Sequence, residues 1–296
     1  SPALLPFPSG NLTVLRSTCT VGLLLAFSCI ASAEFPTAEL RTLSATCVQI
    51  GSKSTLQPRG QNLTELQKLV FSSEKITATQ QLAAPELLQT VGVRKGVFNL
   101  SVATDAKTGI AQVRTLGRFG VSNPLPLLLT TQPVVAVAGD HSNQVLAQEA
   151  EPGHIYSQVF QPHQRTYFQV KVAKGQWLRA TAYARQFDSR AIPSITLRRD
   201  DGTEISRSHA KGFWPAELQH QVNEDTTLFL ELHDFLFLGG EEYAFALEVQ
   251  RSDQEISMEL ADAGTELDRL LRPSLDFPHS DTRFHKLTSL TDPRKA

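Results

Sequence analysis

The chain has 296 residues, 28 basic and 30 acidic for a formal net charge of −2, and is 41% hydrophobic. That length fits two modest domains, and so balanced a charge excludes the basic footprint of a nucleic-acid-binding protein. Phenylalanine (16) outnumbers tyrosine (4), tryptophan (2) and methionine (1), and many of these rings fall in alternating segments, which favours sheet cores over helical bundles.

Arg16 precedes the apolar run VGLLLAFSCI (21–30), which is followed by Ala31, Ser32 and Ala33. A short apolar stretch ending in small-x-small is the pattern that signal peptidase accepts, and ten residues are too few to span a bilayer. Residues 1–33 therefore read as a signal peptide, with the mature chain exported to the periplasm, the cell surface or the medium and left without a membrane span. Cleavage removes Cys19 and Cys29. Cys47 alone can form neither an internal disulfide nor a multi-thiolate metal site. In the strand-like context SATCVQI it reads as a small buried hydrophobe.

From 34 to 132 short strands alternate with turns. The stretch CVQIGSKSTLQPRGQNL supplies two strands around a glycine turn, and QKLVFS a third. In GVFNLSVATDAKTG, Phe98, Leu100 and Val102 share one face opposite Val97, Asn99 and Ser101, the period of two expected of a strand. IAQVRTLG repeats the alternation, and only 83–91 offers a helical turn. Residues 133–152 lose the alternation and read as a linker. A second strand series fills 153–250: TYFQVKV, KGQWLRATAYA, a hairpin at PSITLRRDDGTEI turning on Asp201–Gly202, TTLFLELHD, and YAFALEV. The expected fold is all-β, two tandem antiparallel β-sandwiches, immunoglobulin-like and then jelly-roll-like. The polar, proline-broken segment 251–296 reads as a tail or linker.

His233 beside Asp234, in HDFLFLGG, raises the question of a catalytic dyad. Neighbouring strand residues point to opposite faces, so the two side chains are badly placed to pair, and the end of a strand is the better reading. No G-x-S-x-G, H-E-x-x-H, P-loop or G-x-G-x-x-G pattern occurs, so no catalytic residue is expected within the chain. Trp177, Arg179, Thr181 and Tyr183 share a strand face opposite Leu178, Ala180 and Ala182. Exposed aromatics with an arginine are the ingredients of a recognition patch, so Trp177, Arg179 and Tyr183 are the ligand-binding candidates. Packing on the first domain is the alternative.

Lys174–Gly175–Gln176, Ser189, Asp201–Gly202, Asp234, Gly239–Gly240 and Tyr243 fall in the order and spacing of the bacterial pre-peptidase C-terminal (PPC) domain, which residues 150–250 resemble. The stretches STLQPRGQNL, LVFS, ATDAKTGIAQVRT and GVSNPLPL resemble an IPT/TIG immunoglobulin-like domain over 40–130. The PPC resemblance implies roles beside secreted hydrolases, and calcium held by acidic residues of the preceding linker. Asp140, Asn143, Glu149 and Glu151 are the oxygen donors available there, fewer than the six to eight that calcium takes; no other cofactor is implied. The expected function is that of an exported, non-catalytic accessory protein. Its modules would bind or position extracellular or periplasmic polysaccharide or protein, or space a neighbouring domain. The alternative is the N-terminal, non-catalytic part of a larger secreted hydrolase such as a peptidase.

Overall fold

In the first sandwich the alternating segments pair off around one apolar layer. A computed structural model describes residues 36–82 and 93–253; the signal segment 1–33, the helical turn expected at 83–91 and nearly all of the 251–296 tail lie outside the described residues. The strands are β1 (Glu39–Leu43), β2 (Cys47–Gln49), β3 (Lys53–Leu56), β4 (Pro58–Gln61), β5 (Lys68–Phe71), β6 (Ile76–Leu82), β7 (Val93–Val102), β8 (Gly109–Gly117), β9 (Gly120–Val121) and β10 (Leu125–Thr130). One sheet runs β2-β10-β8-β5 with β9 added to β8, another runs β3-β7-β6, and β1 and β4 form a ribbon. Phe98, Leu100 and Val102 of β7 meet Val113 of β8 and Leu127 and Leu129 of β10 in a common core. Burying each such side chain contributes about 1.5–3 kcal/mol. The β1–β4 ribbon depends on Gly60, where a Cβ would collide with the Glu39 carbonyl.

The second sandwich comprises β11 (Val134–Ala136), β12 (Gln148–Glu149), β13 (Ile155–Val159), β14 (Thr166–Val172), β15 (Trp177–Tyr183), β16 (Pro193–Arg198), β17 (Glu204–His209), β18 (Ala216–Gln221), β19 (Thr226–Asp234) and β20 (Ala244–Ser252). Its sheets run β11-β13-β20-β15-β18 and β12-β14-β19-β16-β17. Alternation decides what faces inward: Phe168 and Val170 of β14, Leu178, Ala180 and Ala182 of β15, Leu230 of β19 and Phe245 of β20 fill the space between the sheets. Phe160 stacks on Phe245 with ring centroids 4.1 Å apart, a pairing that adds about 0.5–1.5 kcal/mol beyond burial.

Residues 133–152 are more than a connector. Leaving β10, the chain lays β11 parallel on β13 in one sheet. It then makes a 3-10 turn at Gln144–Leu146, capped by Asn143, and lays β12 parallel on β14 in the other sheet. Three and two residues are too short for alternation to show in sequence. With β2 on β10, these are the parallel pairings among the described residues; the other strand pairs are antiparallel, as expected.

The described residues from Thr37 onward belong to one compact unit. Cys47 of β2 and Leu128 of β10 pack with Ile155, Tyr183, Phe187 and Ala246 of the second sandwich in a small shared core. Polar bridges flank it: Thr46 Oγ1 lies 3.2 Å from Ser157 Oγ, and Gln132 Nε2 donates to Glu248 Oε1 at 3.0 Å.

Candidate functional site

The face of β15 expected to be a recognition patch is buried. Arg179 and Tyr183 are 2% and 0% exposed, and only Trp177, at the strand's first position, remains half-buried. Arg179 Nε donates to Glu217 Oε1 at 2.9 Å. Tyr183 contributes its ring to the shared core and its hydroxyl to Glu248 Oε2 at 3.3 Å. The alternation of β15 holds, but at Tyr183 the outer face of this sheet meets the first sandwich rather than solvent, and Arg179 is covered within its own sheet beside Glu217 of β18. Packing, the alternative reading, accounts for Tyr183.

The linker carboxylates do not converge. Asp140 accepts from Ser142 N at 3.0 Å, Asn143 Oδ1 accepts from Leu146 N at 3.0 Å, Glu149 pairs with Lys171 at 2.6 Å, and Glu151 faces His154 at 3.8 Å. Among the described residues no group of three or more His, Cys, Asp or Glu side chains could hold a metal ion.

Cys47 is buried, and desolvation pushes its thiol up to about 12, with Thr46 opposing and Glu248 adding to the rise. A nucleophilic cysteine needs the opposite shift. In a variant with Cys19 and Cys29 replaced by serine, Cys47 is expected to resist iodoacetamide at pH 8 until the protein unfolds. Labelling of the native state at the rate of the denatured chain would contradict this. The linkage has a definite sign: an unfolded thiol ionises near 9.0, the folded one not until about 12. Stability therefore falls as pH rises through that window, because the unfolded state sheds its proton first.

Asp234 ends β19 in a buried position and organises the loop beyond it. Its Oδ1 accepts from Ile192 N at 2.8 Å, and its Oδ2 from Leu236 N at 3.0 Å and Leu238 N at 3.1 Å. His233 turns away, its Nδ1 2.8 Å from the Asp234 carbonyl oxygen and its ring stacked on Phe237 at 4.3 Å. The pair is a strand end and a loop clamp. At the far side of the loop, Gly239 lies so close to the Phe160–Pro162 backbone that a Cβ would clash, and Gly240 N donates to the Phe160 carbonyl at 2.9 Å.

The clamp holds a loop whose apolar side chains face outward, and a second loop does the same. Phe235, Leu236 and Leu238 are 49%, 60% and 44% exposed, and Phe213 and Trp214 in the β17–β18 turn are 67% and 43% exposed. The two loops share one end of the sandwich: the β17–β18 turn begins just after His209, whose ring stacks on Phe235 at 5.0 Å. Arg165 braces the loop from below, its guanidinium 5.4 Å from the centre of the Phe237 ring and its Nε 2.9 Å from Glu231. Exposed apolar side chains gathered at one end of a domain mark interaction surfaces. A sequence signal existed: in FLFLGG, four consecutive apolar residues cannot all face one core. Beside this end lies a shallow cleft of about 400 Å³ lined by Arg41, Arg59, Gly239, Gly240, Glu241 and Glu242. Its charges are paired across it, Arg59 with Glu241 and Arg41 with Glu242 at 3.8 Å.

No protein-family model matches the chain, and no curated protein matches it. Solved structures do. The pre-peptidase C-terminal domain of a Bacillus anthracis collagenase aligns over 35% of this chain and 94% of its own, at 10% identity and a TM-score of 0.29. The Salmonella Typhimurium periplasmic inhibitor of g-type lysozyme aligns over 40% and 98%, at 14% identity and a TM-score of 0.24. A Bacteroides ovatus SGBP-B from a mixed-linkage glucan utilization locus, solved with a heptasaccharide, aligns over 73% and 75%, at 8% identity and a TM-score of 0.23.

Proposed function

We propose that the chain is an exported, non-catalytic accessory module of an IPT/TIG-like sandwich joined to a PPC-like one. In this reading the first sandwich fixes the orientation of the second, whose loop end attaches to a component of the cell envelope. The observation that carries the reading is the exposure of Phe213, Trp214, Phe235, Leu236 and Leu238 on two loops at one end of the sandwich. The PPC-like assignment draws support from where its marks fall: Gly175 at φ 86° between β14 and β15 and Gly202 at φ 83° in the β16–β17 turn, with Asp234 clamping its loop. The absence of catalysis is part of the proposal, and the engaged positions of His233, Asp234 and Cys47 favour it.

The test is fractionation of source cells expressing the full chain or a variant carrying Phe213→Ser, Trp214→Ser, Phe235→Ser and Leu236→Ser. The wild type is expected to sediment with the envelope. The variant is expected in the soluble fraction with its melting temperature within about 2 °C, since exposed positions contribute little to stability. A variant that still sediments, or a wild type that never does, would defeat the reading.

A further inference from the structure

The two loops are built in a way that narrows the class of partner. Most of their backbone amides are held internally. Phe235 N donates to the Ile192 carbonyl at 2.8 Å, Phe237 N to the Asp234 carbonyl at 2.8 Å, and His163 N to the Phe237 carbonyl at 2.9 Å. Leu236 N and Leu238 N are held by the Asp234 carboxylate. In the other turn Lys211 and Trp214 exchange both backbone hydrogen bonds, at 3.0 and 3.1 Å, and Gln186 Nε2 donates to the Phe213 carbonyl at 2.5 Å. What the loops offer outward is therefore mainly carbon. Sugar recognition requires polar groups placed to bond hydroxyls, and here most of the amides that could do so are engaged. An apolar medium imposes the reverse requirement, that backbone polar groups be satisfied from within.

Charge points the same way. Lys211 is the one formally charged residue in 210–215 and 235–240. The acidic residues next along the second loop are turned to arginines: Glu241 pairs with Arg59, and Glu242 with Arg190 at 2.9 Å. A lysine beside Phe, Trp and Leu at the tip, with the second loop's own Glu241 and Glu242 paired, suits the interface of a phospholipid bilayer with anionic headgroups. Tryptophan is at home at that boundary. Resting on the attachment role proposed above, we infer that the partner of this loop end is a lipid bilayer. Phe213, Trp214, Phe235, Leu236 and Leu238 enter the headgroup–acyl boundary, and Lys211 lies at the level of the phosphates. This is peripheral insertion by loops and involves no spanning segment.

The experiment is vesicle co-sedimentation of the full chain, with vesicles of phosphatidylcholine alone and of an equimolar mixture with phosphatidylglycerol. Any contribution of the apolar 21–30 segment is common to wild type and variants, so the differences report the loops. Phe235→Ser and Leu236→Ser are each expected to weaken partitioning about tenfold on both vesicles. Lys211→Gln is expected to weaken it about fivefold on the anionic vesicles only. In a Trp177→Phe background, Trp214 is the sole tryptophan and its emission is expected to shift to shorter wavelength on binding.

Unchanged partitioning in the serine variants together with an unmoved Trp214 spectrum would overturn the inference. So would self-association of the wild type in sedimentation velocity that the same serine substitutions abolish, since the cover would then be a second copy of the chain. Loop-dependent envelope retention without vesicle binding would overturn the bilayer and leave the attachment role standing with a protein or polysaccharide partner.

Discussion

Asp234→Ala is expected to destabilise the protein by about 3–5 kcal/mol. The carboxylate is 2% exposed and accepts from three backbone amides on two segments, at Ile192, Leu236 and Leu238. Removing it orphans three donors at once. Each unsatisfied buried group costs about 1–3 kcal/mol, and water reaching the exposed side of the loop recovers part of the total. Asp234→Asn separates charge from geometry: one oxygen remains to accept, so a loss of about 1–2 kcal/mol is expected. Thermal denaturation reads both, with a fall of about 10 °C for the alanine variant. A fall of only a degree or two would mean that the loop holds itself together without the clamp. The apolar tip would then owe its shape to something else.

Asp234 also marks the limits of what is legible in the sequence. Its place at the end of β19, before a loop and a Gly-Gly turn, can be read from pattern, because the strand alternates up to it and Gly239–Gly240 interrupt the apolar run beyond it. The same holds for β7, β14, β15 and β19, where an apolar residue at every second position leaves one choice of inner face. Two features resist for different reasons. The strands β11 and β12, at three and two residues, carry no periodicity; the sheet edges they extend define them. The outer face of β15 is visible as a face, but whether an outer face meets water or a neighbouring domain depends on packing across about a hundred residues of chain, which alternation does not encode. Tyr183 therefore reads as part of a patch and is buried against the first sandwich. The apolar loops fail in the opposite direction. Phe235 to Leu238 look like the start of a buried segment because they are apolar, while their arrangement as four in a row beside Gly-Gly argues for a loop.

Tyr183→Ala is expected to cost about 3–5 kcal/mol, the range for removing a fully buried aromatic side chain, and to act chiefly on the coupling between the sandwiches. Tyr183 lies on the outside of its own sheet, so the sandwich core of Phe168, Leu230 and Phe245 does not depend on it. What it fills is the shared core with Cys47, Leu128, Ile155, Phe187 and Ala246. Tyr183→Phe keeps that ring and gives up the hydrogen bond to Glu248, while Gln132 and Gln250 still donate to the other carboxylate oxygen, each at 3.0 Å. The loss expected there is about 1 kcal/mol. Calorimetry distinguishes the roles. If Tyr183 couples the sandwiches, the wild type melts in one transition and Tyr183→Ala in two, with protease cutting newly admitted between β10 and β11. A single transition displaced as a whole would instead place Tyr183 in the general stability of the second sandwich. The distinction bears on function, because an accessory module that holds its loop end in a fixed direction needs the first sandwich as a base. With Tyr183 removed the loops keep their clamp and their apolar side chains, so vesicle partitioning of the full chain should survive while the fixed direction is lost.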